Sequence, residues 1–174
     1  FNHHQQAVLR VPRMATDPKQ ADEHTELIAT MIPELVSGHL GSLILFSSWR
    51  QMFRVTDMLP PEFAEKVLSQ GSLSKSEIIA QHKDNVDSER NSVIFGLASF
   101  AEGIDLPGKY CSHVVIAKIP FAVPDDPVGA TLSEWIEARG GNSFAEVMIP
   151  DATLRIVQAC GRLLRTETDS GVIT

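Results

Sequence analysis

The sequence has 174 residues, of which 43% are hydrophobic, and carries a formal net charge of −7 at pH 7. This length suffices for one domain with a proper core, and the acidic charge excludes a generally basic nucleic-acid binder, so that any nucleic-acid contact must be local. The sequence contains neither an apolar run near the roughly 20 residues of a membrane span nor a signal-peptide pattern. Cys111 and Cys160 are the only cysteines. Two thiols cannot build a four-cysteine zinc or iron–sulfur site, no metal site is expected, and a reducing cytoplasm fits.

The first strong helix signal follows a short extended segment at residues 8–11. Asp17 is the predicted N-cap and Pro18 the first helical residue. Pro33 is expected to kink or split this helix, and Gly38 to end it. The apolar run at 43–46 is typical of a strand that is buried on both faces.

Strand and helix signals then alternate to the end of the chain. A Ser74–Glu77 capping box predicts the start of another helix. Further helices are predicted from about residue 49, near 131–139 and over 151–165. Strands are predicted at 67–68, 92–97, 113–117 and 172–174.

This alternation predicts an α/β fold with a largely parallel central sheet flanked by helices. We expect a single domain over residues 1–174, with a helical insertion at about 121–150 that carries Trp135. The loop before it contains the Pro124–Pro127 segment. Because Phe1 enters without a cap and Thr174 stops inside an apparent strand, the sequence is expected to be a piece of a longer chain.

A loop with ligand-binding chemistry follows the strand at 92–97. Ligands of open parallel sheets bind at the carboxyl ends of strands. Gly103 lets the backbone approach a phosphate, Asp105 can accept from a ribose hydroxyl, and Ser99 can donate to a nucleic-acid phosphate. A plain turn with a cap residue is the alternative.

Three other patterns are rejected as sites. Residues 103–110 nearly spell the phosphate-binding G-x-x-x-x-G-K-[ST] motif, but Tyr110 replaces the hydroxyl residue and a strand is predicted to follow. Asp22-Glu23-His24 resembles an acidic hydrolase motif, yet it lies in the first helix and is predicted to be a solvated face. His3-His4 is predicted to have no role.

The most informative segment reads Q-x-x-G-R-x-x-R, from Gln158 through Gly161 and Arg162 to Arg165. On a helix, Gln158 and both arginines share one stripe, with Arg155 beside it. Glycine costs roughly 1 kcal/mol inside a helix, so Gly161 is expected to allow a close approach. Two guanidinium forks on one helix suit a triphosphate; a solvated basic stripe is the alternative. The opposite side is predicted to be buried through Leu154, Val157, Cys160 and Leu164.

Through these motifs the chain resembles the second RecA-like motor domain of superfamily 2 helicases of the DinG/XPD type, closest to bacterial DinG. Residues 42–49 look like helicase motif IV, 97–108 like motif V and 158–165 like motif VI. Phe1 resembles the end of the segment that leads into this domain. Ala101 departs from the hydroxyl residue common in XPD-like relatives, which weakens a DNA contact there.

The resemblance implies that ATP and Mg²⁺ are clamped between this domain and an N-terminal RecA-like domain of the same polypeptide. That first domain supplies the phosphate-binding lysine, the magnesium site, the base and any iron–sulfur cluster. The resemblance implies arginine fingers at Arg162 and Arg165, with rate effects of about 10³–10⁵ in comparable systems. It also implies a nucleotide-binding set and a set that contacts single-stranded DNA. These are Gln158, Gly161, Glu102, Gly103 and Asp105 for the nucleotide, and Ser47, Ser48 and Ser99 for the DNA.

By the same resemblance, the whole enzyme is an ATP-dependent 5′–3′ DNA helicase of the bacterial cytoplasm, associated with the nucleoid and with DNA repair. The chain alone is expected to fold but not to hydrolyse ATP. Two alternatives stay open: a paralogous helicase that acts on RNA or RNA–DNA hybrids, and a stand-alone module that binds a phosphate or a partner without hydrolysis.

Overall fold

Six parallel strands form one sheet at the centre of the structure, a computed structural model that describes residues 6–17, 19–121 and 127–174. Their order across the sheet is β1-β6-β5-β2-β4-β3, and every pairing is parallel. The strands are β1 (Ala7–Leu9), β2 (Gly41–Phe46), β3 (Val67–Ser69), β4 (Ser92–Leu97), β5 (His113–Ile116) and β6 (Gly171–Ile173). The predicted α/β class with a parallel central sheet is confirmed.

Helices connect the strands on both faces of the sheet. They are α1 (Ala21–Leu35), α2 (Trp49–Met58), α3 (Pro61–Ala64), α4 (Lys75–Asp87), α5 (Ala98–Ala101), α6 (Pro127–Glu137) and α7 (Ile149–Cys160). A 3₁₀ turn at Gly108–Tyr110 precedes β5, and a π-helical turn at Phe144–Met148 runs directly into α7. In the described part of the chain, no helix is both long enough and apolar enough to cross a membrane.

The side chains of β2 show how the sheet divides the core. Ile44 and Phe46 pack into one cluster with residues of α1 and α2. Leu43 and Leu45 pack into the other, with residues of α4, α5 and α7. Since successive side chains of a strand point to opposite faces, the continuous apolar run of β2 serves two layers of helices.

The first helix differs from its prediction. It begins at Ala21, because the Asp17 carboxylate accepts from the Lys19 amide (2.9 Å) in a turn ahead of the helix. Pro33 lies in the last turn without splitting the helix, and Gly38 follows with a φ of +84°. Pro18 lies outside the described residues, as do Phe1, His3, His4 and residues 122–126 of the proline-bounded loop.

Among the other predicted element boundaries, those with a clear local signal in the sequence are confirmed. The strand predicted at 92–97 matches β4, and the Ser74–Glu77 capping box is present at the start of α4. The helix predicted over 151–165 is wrong at its end, because α7 stops at Cys160. The described residues of the predicted insertion contain α6 and the π-helical turn.

Candidate functional site

The motif predicted to lie on one helix straddles the end of α7. Gly161 is its C-cap residue with a φ of −63°, and a Cβ there would meet only ordinary contacts at 3.4 Å. The next two amides donate to the carbonyl three residues earlier, Arg162 N–H to Ala159 and Leu163 N–H to Cys160 (both 3.0 Å), as in a tight turn. The prediction that Gly161 lies in a helix interior is therefore wrong. A glycine at a helix end costs little.

The two arginines nevertheless converge on one atom. Arg165 Nη2 donates to the carbonyl of Ile104 at 2.6 Å, and Arg162 Nη1 approaches the same oxygen at 3.4 Å. Arg165 Nε lies 3.6 Å from the Asp105 carboxylate, which is an ion pair but not a hydrogen bond. The loop after β4 thus positions both guanidinium groups, which follow the end of α7.

The charge of this pair is only partly compensated by nearby carboxylates. Burial and the neighbouring Arg165 lower the pKa of Arg162, against the opposite effect of Glu102 and Asp105. The Arg165 Nε–H is buried and has no hydrogen-bond partner among the described residues. A buried donor without an acceptor is costly, and an anion placed here would relieve both the repulsion and the missing bond.

The loop that holds the arginines is itself anchored. Gly103 has a φ of +74°, a conformation that favours glycine. Lys75 at the start of α4 donates to the carbonyl of Glu102, and its ammonium group lies 5.2 Å from the Phe100 ring centre. Since Ile104 is buried in the core, the carbonyl that both arginines use lies at a fixed place.

Asp169 fixes the chain that carries Arg165, and sequence reasoning missed it. This buried carboxylate accepts from the backbone amides of Gly108 (3.1 Å), Arg165 (2.7 Å) and Thr166 (2.8 Å), and from the Thr166 hydroxyl (2.5 Å). Burial raises the pKa of Asp169, but these bonds outweigh it and the net shift is downward. Asp169 therefore clamps the end of the motif V loop to the residues after α7.

A cavity of about 300 Å³ opens between α5 and α7 beside Arg162. Its lining includes three residues of the predicted nucleotide side, Gln158, Arg162 and Glu102, and also Ser99, which was predicted to contact DNA. The other predicted nucleotide-side residues, Gly103, Asp105, Gly161 and Arg165, are not among its lining residues. Arg155, predicted to lie beside the motif, lines the cavity too. Its guanidinium is neutralised by Asp151 one turn earlier (2.9 Å).

The predicted apolar face of α7 is wrong at Leu154 and Val157, whereas Cys160 and Leu164 are half-buried and Leu164 packs against the core. Leu154 and Val157 are 56% and 60% exposed, and the buried residues are Ala152 and Ala159, with Leu163 just beyond the helix. Periodicity gives the stripes of a helix but cannot say which stripe the rest of the protein covers.

The two other predicted DNA contacts lie at a separate place, the carboxyl end of β2. Ser47 is exposed, whereas Ser48 is the N-cap of α2 and accepts from the Gln51 amide at 3.2 Å. Both line a second cavity of about 110 Å³, between the first turns of α1 and α2. The structure thus groups Ser47 with Ser48 and places Ser99 on the arginine side.

The rejected patterns are structural. Lys109 pairs with Asp87 (2.6 Å) and strand β5 follows, so residues 103–110 form no phosphate loop. Asp22 and Glu23 are exposed as predicted. His24 is not, because its ring is buried against Gln51 (3.3 Å). Within residues 6–17, 19–121 and 127–174, no group of three His, Cys, Asp or Glu side chains could hold a metal ion.

A six-stranded parallel sheet flanked by helices is the fold of a RecA-like domain, and an arginine pair lies against the loop after β4. The chain belongs to the helicase C-terminal domain family, whose sequence pattern matches residues 33–174. The solved structure titled XPD_Helicase superposes on 97% of the chain and 30% of its own length, with a TM-score of 0.71. At 20% identity, that likeness shows the fold alone.

The relatives that match over nearly the whole chain are DinG proteins, which confirms the resemblance to the DinG/XPD type. The ATP-dependent DNA helicase DinG of Photobacterium profundum is 42% identical over 98% of this chain and 25% of its own length. The ATP-dependent DNA helicase DinG of Escherichia coli K12 is 35% identical over 95% of the chain and 24% of its own length. The chain spans about a quarter of the length of these relatives.

Proposed function

We propose that this chain is the second motor domain of a DinG-like, ATP-dependent 5′–3′ DNA helicase. One observation carries the proposal: two guanidinium groups are held on a single backbone carbonyl next to an open cavity that Arg162 lines, and the Nε–H of Arg165 has no hydrogen-bond acceptor among the described residues. The helicase names of the relatives support the same activity. The proposed domain spans residues 1–174, with residues 121–150 as a helical insertion.

In this proposal Arg162 and Arg165 are arginine fingers for a phosphoryl transfer. The carbonyl of Ile104 fixes where both forks lie, and the unpartnered Nε–H of Arg165 has an unused donor for a phosphate oxygen. Donors that are in place before the reaction stabilise developing charge without reorganisation. An arginine finger contributes about 10³–10⁵ in rate in related phosphoryl-transfer systems.

The neighbouring polar groups would bind the rest of the nucleotide. Gln158 and Glu102 line the cavity, and Asp105 orients Arg165 at 3.6 Å. Gly103 keeps the loop backbone accessible, while Gly161 ends α7 so that the chain can turn toward the loop. The first motor domain would bring ATP and Mg²⁺ to this face, and Mg²⁺ neutralises charge on the phosphate oxygens. Any iron–sulfur cluster would belong to that first domain as well.

Single-stranded DNA would pass over the carboxyl ends of β2 and β4. Ser47 and Ser48 follow β2, and Ser99 lies two residues after β4. Because β2 and β4 pair side by side, their ends form one edge of the sheet. Hydroxyl groups there would position phosphates without reading sequence. The proposed setting is the bacterial cytoplasm at the nucleoid.

ATP hydrolysis measured on two proteins tests the proposal. One is the chain alone, and the other joins it to a first motor domain of the DinG type. We expect hydrolysis stimulated by single-stranded DNA only in the joined protein, since the chain alone has no phosphate loop. Hydrolysis by the chain alone would falsify the proposal. Phosphate binding without hydrolysis in both proteins would favour a stand-alone binding module, and unwinding of RNA–DNA hybrids alone would favour the paralogue.

A further inference from the structure

We propose that Lys75 is a positioning residue for the arginine pair, and that it acts by holding the turn from Ala101 to Ile104 in one of two backbone conformations. This inference rests on the proposed function, because its effect on ATP hydrolysis passes through Arg162 and Arg165. Lys75 itself lies on α4, outside the three segments that resemble helicase motifs.

The turn that follows α5 has the backbone angles of a type II turn. The Ile104 amide donates to the Ala101 carbonyl at 3.1 Å. Glu102 has a φ of −61° and a ψ of 126°, and Gly103 has a φ of +74°. A type II turn needs this positive φ at its third residue, whereas a type I turn reverses the peptide between its two central residues. Ile104 ends the turn, and its carbonyl is the one that both arginines use.

The bond made by Lys75 distinguishes between the two turn types. Its ammonium group donates to the Glu102 carbonyl, which belongs to the central peptide of the turn. In a type I turn that carbonyl would point away from Lys75 and the Gly103 N–H would point toward it, since C=O and N–H are antiparallel in a trans peptide. Two donors would then face each other. Lys75 therefore favours the type II conformation.

Gly103 is needed for its backbone angle and not for space. Among the described residues, a Cβ there would meet only the Lys75 ammonium group within 4 Å, at an ordinary contact distance of 3.9 Å. Any other residue would disfavour the positive φ and shift the turn toward type I. Gly103 and Lys75 thus stabilise the same conformation, one through the backbone and the other through a hydrogen bond.

The position of Lys75 is fixed by α4 and by the loop. Ser74 caps α4 and completes the capping box with Glu77, and Ile78 is buried. The Lys75 ammonium group lies 5.2 Å from the centre of the Phe100 ring, within the range of a cation–π contact. A cation in the first turn of a helix opposes the helix dipole. The favourable contacts of this ammonium group are therefore with the loop and not with its own helix.

The test measures ATP hydrolysis at saturating single-stranded DNA in the protein that joins this chain to a first motor domain. We expect Lys75→Met to lower kcat by about tenfold, because a misplacement of about 1 Å can cost 10²-fold and the freed turn is displaced for only part of the time. KM for ATP and the affinity for single-stranded DNA should stay within about twofold. Lys75→Arg restores a charged donor to the Glu102 carbonyl and should bring kcat to within about threefold of wild type.

The matched control is Lys83→Met. Lys83 lies on the same helix, is half-buried like Lys75, and its ammonium group lies 5.4 Å from the centre of the Tyr110 ring. Among the described residues it makes no hydrogen bond to the loop after β4, so its kcat should stay within about twofold of wild type. The two methionine variants should unfold at similar urea concentrations, which separates positioning from a loss of stability.

A double-mutant cycle with Gly103→Ala tests the turn itself. Both substitutions remove the same conformation, so in the Gly103→Ala background Lys75→Met should lower kcat by less than about twofold. An undiminished effect of Lys75→Met in that background would overturn the inference.

Three further outcomes would overturn it as well. They are a wild-type kcat in Lys75→Met, a Lys75→Arg variant as slow as Lys75→Met, and weaker DNA binding with an unchanged kcat, which would place Lys75 on the strand. Arg165→Ala is measured alongside. If Arg165→Ala is slow and Lys75→Met is not, only the inference fails. If Arg165→Ala keeps the wild-type kcat, the arginine-finger proposal fails and the inference fails with it.

Discussion

The surroundings of His82, at the amino ends of the strands, and the arginine side of α7 both bury polar groups, but they do so in opposite ways. At the amino ends, His82 has a partner for each ring nitrogen, the Ser92 hydroxyl (2.9 Å) and the Tyr110 carbonyl (2.7 Å). His39 contacts the Ser112 hydroxyl at 3.0 Å. A Cβ at Gly41 would clash with the Tyr110 carbonyl, so the two backbone segments pack against each other there without room for a side chain.

On the arginine side, groups are held in place and still have unused bonding capacity. Arg165 donates to a carbonyl through Nη2, while its Nε–H is left without a hydrogen-bond partner among the described residues. Buried polar groups therefore have two roles in this protein. Groups that satisfy one another stabilise the fold, and we propose that groups with unused bonding capacity serve a ligand.

The largest expected effect tests the ligand-binding side of this comparison. In the protein that joins this chain to a first motor domain, Arg162→Ala or Arg165→Ala should lower kcat for ATP hydrolysis by about 100-fold, roughly 3 kcal/mol. ATP affinity should change much less, because the charge develops in the transition state. Lysine should restore little, since a point charge cannot reproduce the planar fork.

The matched control for the arginine pair is Arg90→Ala. Arg90 is an exposed arginine that is paired with Asp84 at 3.2 Å, and its loss should leave kcat within about twofold. Arg155 cannot serve as a control, because it lines the same cavity. Single-turnover hydrolysis that survives both Arg162→Ala and Arg165→Ala would show that the pair is structural.

The second prediction concerns Asp169, which connects the two regions. Asp169→Ala would leave the amides of Gly108, Arg165 and Thr166 without their acceptor, so the free energy of unfolding should fall by about 3 kcal/mol. Asp84→Ala, which removes an exposed carboxylate, should cost less than about 0.5 kcal/mol. Urea unfolding followed by circular dichroism measures both, and equal costs would contradict the clamp.

Asp169 also shows which kind of feature could not be predicted from the sequence. The strand at 92–97 was predictable because an apolar run with clear boundaries is a local signal, and the Arg162 and Arg165 pair was found from its spacing. Their geometry was not predictable. The bond of the Asp169 carboxylate to the Gly108 amide joins two segments that are far apart in the sequence, and no periodic pattern contains such a contact.

The same limit explains the errors in burial. The face of α7 with Leu154 and Val157 has the right spacing to be buried, but α7 covers the sheet with the small residues Ala152 and Ala159 instead. His24 sits in a charged sequence and yet is buried, because Gln51 of the next helix reaches it. In both cases the neighbouring element, not the local sequence, decides what is buried.

The third prediction tests the stabilising side by pH. Burial, with the charges of His39 and Arg10, lowers the pKa of His113 to about 4, and burial lowers the pKa of His82. Between pH 6.5 and 4 the unfolded chain therefore binds more protons than the folded chain. The free energy of unfolding is consequently highest above pH 6.5 and falls as the pH drops toward 4. Protonation of His113 in the unfolded chain should by itself lower the free energy of unfolding by about 2 kcal/mol between pH 6.5 and 5. Urea unfolding at these two pH values checks this, and a stability that stays level or rises on acidification would contradict it.

The smallest expected effect asks to which region Ser99 belongs. Ser47→Ala should weaken binding of single-stranded DNA by about threefold, the loss of one hydroxyl bond, with the salt slope unchanged because no charge is lost. Ser48→Ala should also lower stability by about 1 kcal/mol, since Ser48 caps α2. If Ser99 contacts DNA as proposed, Ser99→Ala will match Ser47→Ala in affinity and leave kcat at saturating DNA unchanged. A lower kcat with unaltered DNA affinity would assign Ser99 to the nucleotide, in keeping with the cavity that it shares with Gln158 and Arg162.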